Sequence, residues 1–239
     1  MLAPEVAGKE MPPARKRSRQ VKPISQQAST RRMPLFFGKP GLPHGTVLGS
    51  AHGVEGYNNN YRHIPADGDD NDGSHYLDGL YMGYKWQCVE YARRYWVKKR
   101  DIYLPSIPHA AHIWTRVTHV KKLDDSSIVP LRKLPNHGTE KPDVGDLLVY
   151  KSTPGQYVGH VAVVVDVLEK QPGHWVVHVA EQNQYNNRMW KGDNYADELK
   201  LETKTREDGK TTYGITHRDR DLVLDGWVRP HFSSPLEQP

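Results

Sequence analysis

The chain has little with which to cross-link itself and nothing with which to span a bilayer. Its 239 residues hold one cysteine, Cys88, so a framework of disulfides is excluded. A lone thiol fits a reducing compartment and leaves a single candidate for thiol chemistry. No run of about 18 apolar residues occurs, which excludes a membrane-spanning helix. The first residues, Met1-Leu2-Ala3-Pro4-Glu5, lack the apolar stretch of a secretory signal, so a cytoplasmic location is expected. There is no internal repeat. With 36% hydrophobic residues and a mean hydropathy of −0.76, the chain reads as soluble, polar and long enough to bury one core.

Charge is unevenly spread. The net charge is +5, and Arg15, Lys16, Arg17, Arg19, Lys22, Arg31 and Arg32 face only Glu5 and Glu10 in the first 34 residues. Pro, Ser, Gln and Arg mix there without periodicity, so 1–34 reads as a disordered basic tail. The Arg15 to Arg19 cluster leaves nuclear targeting open. The basic balance belongs partly to this tail, and no nucleic-acid face is expected on the folded domain, 35–235. Residues 35–80 are rich in Gly and Asn and read as long loops with little regular structure. They carry Asp67, Asp69, Asp70 and Asp72, but an EF-hand register fails: Asp72 stands where Gly is required and Asp78 where Glu is usual.

Regular structure is expected from residue 87 onward. Cys88, Val89, Ala92, Tyr95 and Trp96 repeat with helical spacing, and Lys98, Lys99 and Arg100 suit a helix C-terminus, so the spacing predicts a helix over 87–99. A second short helix is expected near 109–117. Val- and Leu-rich segments at 146–150, 160–168 and 175–180 read as strands, the last two joined at Pro172-Gly173. Weaker strands are expected at 198–204, 211–216 and 222–228. A helix followed by an antiparallel sheet is an α+β arrangement.

Cysteine attacks as thiolate, so it needs a charge-stabilising site and a base. Cys88 falls in the first turn of the expected helix, where unpaired N–H groups and the helix dipole favour negative charge. His160 opens one strand of the hairpin. With the turn centred between residues 170 and 171, position 160 pairs with 181; centred one residue later, it pairs with 183. Glu181 and Asn183 share a face, so either register gives His160 an orienting partner. Val161, Val163, Val165 and Val167 are expected to fill the opposite face, and Ala162 leaves room beside His160 for the helix end. Among 13 histidines, the His109/His112 and His174/His178 pairs have neither a nearby cysteine nor a well-placed carboxylate, and no metal is expected.

Three segments now carry a resemblance: Trp86-Gln87-Cys88-Val89-Glu90-Tyr91-Ala92-Arg93-Arg94, Gly159-His160-Val161-Ala162-Val163-Val164 and Ala180-Glu181-Gln182-Asn183. Together they resemble the motifs of CHAP amidases, most of all the amidase half of glutathionylspermidine synthetase/amidase and its trypanothione relatives. His44 to Gly49, Tyr81 to Lys85 and Asp225-Gly226-Trp227 add to it. The resemblance implies a papain-like fold and a catalytic Cys88, His160 and Glu181, which selects Glu181 over Asn183 as orienter. It implies an oxyanion hole from Gln87 and the Cys88 N–H, and substrate contacts from Arg93 and Asn183.

The implied reaction is hydrolysis of the amide between the glycine carboxyl of glutathione and a polyamine, through a glutathionyl thioester and without a cofactor. The expected partner is that small-molecule conjugate; oligomeric state is left open. The chain ends at Pro239, before any ATP-dependent synthetase domain of the bifunctional members, so synthesis of the conjugate is not expected. A polyamine is cationic, and the four aspartates at 67–72 suit its attraction. Two other readings stand beside this one: a CHAP hydrolase acting on peptidoglycan or peptide amides, and a non-catalytic domain binding glutathione conjugates.

Overall fold

A computed structural model describes residues 41–60 and 73–232 of the chain. The basic tail 1–34 and the aspartates at 67–72 lie outside the described residues. Helix α1 spans Cys88–Arg100 and ends at Asp101, whose φ of 54° places it in the left-handed conformation that closes helices. Tyr91, Ala92, Tyr95 and Trp96 are at most 2% exposed, and burying one such large apolar side chain contributes about 1.5–3 kcal/mol. Burial is not confined to the expected face. Glu90, Arg93 and Arg94 are buried too, because strands pack against α1 on its other sides.

Those strands lie partly in the segment expected to be loop. Val47–Ala51 (β1) pairs with Val54–Tyr57 (β2), and Ser74–Leu77 (β3) with Leu80–Tyr84 (β4). Both hairpins are short and turn at Gly53 and Gly79, each with positive φ. Gly53 and Gly79 therefore mark turns between strands too brief to show alternation, whereas Asn58, Asn59 and Asn60 follow β2.

The remaining strands are Ile102–Tyr103 (β5), His119–Lys122 (β6), Ile128–Pro135 (β7), Leu147–Tyr150 (β8), His160–Gln171 (β9), His174–Ala180 (β10), Asp197–Thr205 (β11), Thr211–Ile215 (β12) and Leu224–Pro230 (β13). They form one nine-stranded antiparallel sheet in the order β12-β11-β10-β9-β8-β13-β7-β6-β5. A short helix, α2 (His112–Thr115), precedes β6. The sheet curls until the end of β7 meets β12: Tyr213 donates to the Gly138 carbonyl at 2.8 Å, and Asn136 bonds the Ile215 backbone in both directions. The class is α+β, as expected. No helix among the described residues is long and apolar enough to cross a membrane.

The hairpin of β9 and β10 differs from its expected register in an instructive way. Its turn is centred between Pro172 and Gly173, with His174 opposite Gln171. Lys170 and Val165 are then each an extra residue in β9, because Trp175 pairs with Glu169 and Val179 with Val164. By Ala180, opposite Val163, the pairing matches the second of the two expected registers, and there the strand ends. The bulge at Val165 reverses which face the side chains occupy. Val161, Val163 and Val165 pack with α1, whereas Val167 joins Ala162 and Val164 on the other side. Two expectations are corrected: Val167 is not on the Val161 face, and the helix lies over the Val161 face rather than the Ala162 face.

Candidate active site

Cys88 is the first residue of α1 and is 7% exposed. His160 is the first residue of β9, paired across the sheet with Tyr150, whose ring centroid lies 5.8 Å from its own. The chain enters β9 through Gly159 at φ +69°, and a Cβ there would strike the Tyr150 carbonyl oxygen. Only glycine fits that entry. Glu181 follows the last residue of β10, and its Oε2 lies 2.7 Å from His160 Nε2. The residues at 88, 160 and 181 are therefore brought together by a helix start, a strand start and a strand end.

The electrostatics of His160 decide what this cluster can do. Burial alone drives the ring toward neutrality. The adjacent Cys88 sulfur, and after it the Glu181 carboxylate, outweigh burial and raise the His160 pKa to about 10. An imidazolium flanked by sulfur and carboxylate can donate a proton to a leaving group and recover one from water.

Gln87 caps α1 with its backbone and lines the same pocket as Cys88. Its Oε1 accepts from Asn183 Nδ2 at 2.6 Å. Asn183 itself, at φ +64°, stands beside Gln87 and does not line the main pocket. Arg93 does line that pocket, but its guanidinium is committed to backbone carbonyls: Nε to Leu104 at 2.7 Å, Nη2 to Pro105 at 2.9 Å, and Nη1 to Met82. It ties α1 to β4 and to the chain leaving β5. The pocket holds about 600 Å³, and Tyr81, Tyr84 and His109 add aromatic walls to it.

Beneath Cys88 lies a charged network to which the sequence assigned no role. Glu90 is fully buried, with Arg94 Nε at 2.6 Å and His75 Nδ1 at 2.7 Å from its Oε1. Gln182 donates from Nε2 to Glu90 and, at 3.1 Å, to the Gln87 carbonyl; its Oε1 accepts from the Tyr57 N–H. Burial raises the Glu90 pKa, but His75 and Arg94 more than reverse this and hold it below the ordinary value. Glu90 and Arg94 are four apart on the helix, which is the signal that could have found them. Gln182 and His75 gave none.

The histidine pairs behave differently from one another. His109 and His112 stack at 5.0 Å between centroids, and Tyr157 Oη lies 3.2 Å from His109 Nε2. His178 does have a carboxylate, contrary to expectation. The β10/β11 register sets it opposite Glu198, whose Oε2 lies 2.8 Å from Nε2. Among the described residues no group of three or more His, Cys, Asp or Glu is placed to hold a metal ion.

Residues 79–183 match the CHAP domain family. The chain is 34% identical over 205 residues to a trypanothione synthetase of Crithidia fasciculata, covering 84% of this chain and 29% of that protein. It is 30% identical over 190 residues to the bifunctional glutathionylspermidine synthetase/amidase of Escherichia coli (strain K12), covering 78% of this chain and 29% of that protein. A glutathionylspermidine synthase of Crithidia fasciculata is 32% identical over 148 residues, 62% of this chain and 19% of that protein. The chain thus spans less than a third of the length of each of these relatives.

Proposed function

From the premise that residues 79–183 carry a CHAP domain within a papain-like α+β fold, we propose that the chain is a cysteine amidase cutting the bond between glutathione and a polyamine. The observation that carries this reading is the meeting of three side chains, with the buried His160 held at Nε2 by Glu181 at 2.7 Å and in contact with the sulfur of Cys88. The substrate class is supported by similarity to a bifunctional glutathionylspermidine synthetase/amidase. The folded amidase domain is taken as 35–235.

The steps follow from the groups present. The Cys88 thiolate attacks the glycine carbonyl of the glutathionyl amide, forming the S–C bond. The oxyanion is received by the Cys88 N–H at the start of α1 and by the Gln87 amide. His160 gives its proton to the departing amine as the C–N bond breaks. Water then enters, His160 takes its proton, and the thioester is cleaved to free glutathione. Glu181 holds the ring in position and favours its charged form throughout. Arg93, with its donors on three carbonyls, shapes the pocket wall that receives the glutathionyl group.

Release of glutathione and polyamine from glutathionylspermidine and trypanothione tests the reading, with Cys88→Ala beside the parent. Turnover by the parent and its loss in the variant are expected. A parent inert on both conjugates but active on bacterial wall peptides would transfer the same site to peptide amides.

A further inference from the structure

Gln87 is useful to an oxyanion only if its amide presents nitrogen, and an amide side chain can present either end. The neighbouring loops remove that ambiguity. The Asn59 backbone N–H donates to Asn186 Oδ1 at 3.2 Å. Asn186 Nδ2 donates to Asn183 Oδ1 at 3.2 Å. Asn183 Nδ2 then donates to Gln87 Oε1 at 2.6 Å. A backbone N–H cannot become an acceptor, so the first link fixes the direction of the other two. The two loops are tied a second time where the Asn187 N–H donates to Asn58 Oδ1 at 2.8 Å.

We infer that Asn183 is a positioning residue that locks the Gln87 amide with Oε1 toward Asn183 and Nε2 as the donor for the developing oxyanion. This moves Asn183 from direct substrate contact to the support of Gln87, and it rests on the reading of Gln87 given above. Its left-handed backbone at φ +64° suits Asn, Asp or Gly. Asp at 183 offers only acceptors near neutral pH, so it drives the Gln87 amide to turn its nitrogen toward position 183 and its oxygen toward the substrate.

The test compares two reactions of Cys88 in the full chain. Acylation by p-nitrophenyl acetate forms an S–C bond, passes through an oxyanion and expels p-nitrophenolate. Alkylation by iodoacetamide displaces iodide without an oxyanion on the attacked carbon. The ratio of the two rates cancels changes in thiol reactivity and does not need the physiological substrate. Loss of one oxyanion donor costs about 100-fold in rate, so Gln87→Ala and Asn183→Asp are each expected to lower the ratio by about that factor. Asn183→Gly, which keeps the backbone and removes the donor, is expected to lower it by about 10-fold.

In the Gln87→Ala background, Asn183→Asp should change nothing further, because its target is gone. An equal drop in both backgrounds, or an unchanged ratio in the parent background, overturns the inference. An unchanged ratio in Gln87→Ala removes its basis. A ratio that behaves as expected in a chain inert on glutathionyl amides would sink only the substrate assignment.

Discussion

At the scale of single residues, the proposed chemistry makes the proton on His160 govern when the site works. Its pKa is raised to about 10 by Cys88 and Glu181 against the pull of burial. The ring is therefore charged below about pH 10, and acid catalysis fades as pH rises through that value. Glu181→Gln removes one raising contribution, so the alkaline fall in kcat/KM should move to lower pH, with a loss in rate as well. A pH profile of the variant beside the parent checks this; an alkaline limb that stays in place would remove Glu181 from the pair. Cys88 and His160 were legible from the sequence because each sits at an element start that periodicity marks. Glu181 was not separable from Asn183 by strand arithmetic, since alternate residues share a face. The structure divides their contacts: Glu181 reaches His160, and Asn183 reaches Gln87.

At the scale of elements, α1 is packed by strands on several sides, and its buried Glu90–Arg94 pair reaches His75 and the Glu55 carbonyl. Arg94→Met leaves a buried carboxylate with His75 and Gln182 as its remaining side-chain partners, and breaking such a pair costs about 3–5 kcal/mol. Urea unfolding near pH 7 should show that loss. The sign with pH is also fixed. Glu90 is held below the ordinary carboxyl value of 4.5, so its contribution is present above that pH and disappears as pH falls through the lowered value. In Arg94→Met the Glu90 pKa climbs, and acid unfolding should begin at higher pH than in the parent. The entry to β9 gives a second expectation. Gly159→Ala meets both a positive φ and the Tyr150 carbonyl, and should cost about 1–3 kcal/mol while displacing His160. Thermal unfolding and kcat should fall together; an unchanged kcat would mean that the strand entry does not place the base.

The same elements show what the sequence withheld. Helix α1 and the β9/β10 hairpin announced themselves by spacing and by Pro172-Gly173. The bulge at Val165 did not, because an extra valine in a run of valines leaves the composition of the strand unchanged. Strands β6 and β7 escaped for another reason. Lys121, Lys122, Pro130, Arg132, Lys133 and Pro135 interrupt their apolar pattern, and β7 tolerates its prolines while pairing with β6 and β13.

At the scale of the whole molecule, the site is assembled from distant parts of the chain. α1 supplies Cys88 from one side of the sheet, and the adjacent central strands β9 and β10 supply His160 and place Glu181. Charge acts at this scale too. On the proposed function, Asp67, Asp69, Asp70 and Asp72 would give the chain four negative charges to attract a cationic polyamine, an attraction screened by salt. Replacing all four with Asn should raise KM for a polyamine amide and flatten its salt dependence, with kcat little changed. Unaltered kinetics would end that role.

The proposed chemistry requires a covalent glutathionyl thioester on Cys88, which mass spectrometry reads directly. The protein is mixed with glutathionylspermidine, quenched in acid during turnover, and read by intact mass and by peptide mapping. A glutathionyl adduct on the peptide containing Cys88, absent from Cys88→Ala and discharged on standing at neutral pH, is the expected result. Release of free glutathione with no adduct at any quench time, or undiminished release by Cys88→Ala, would contradict it.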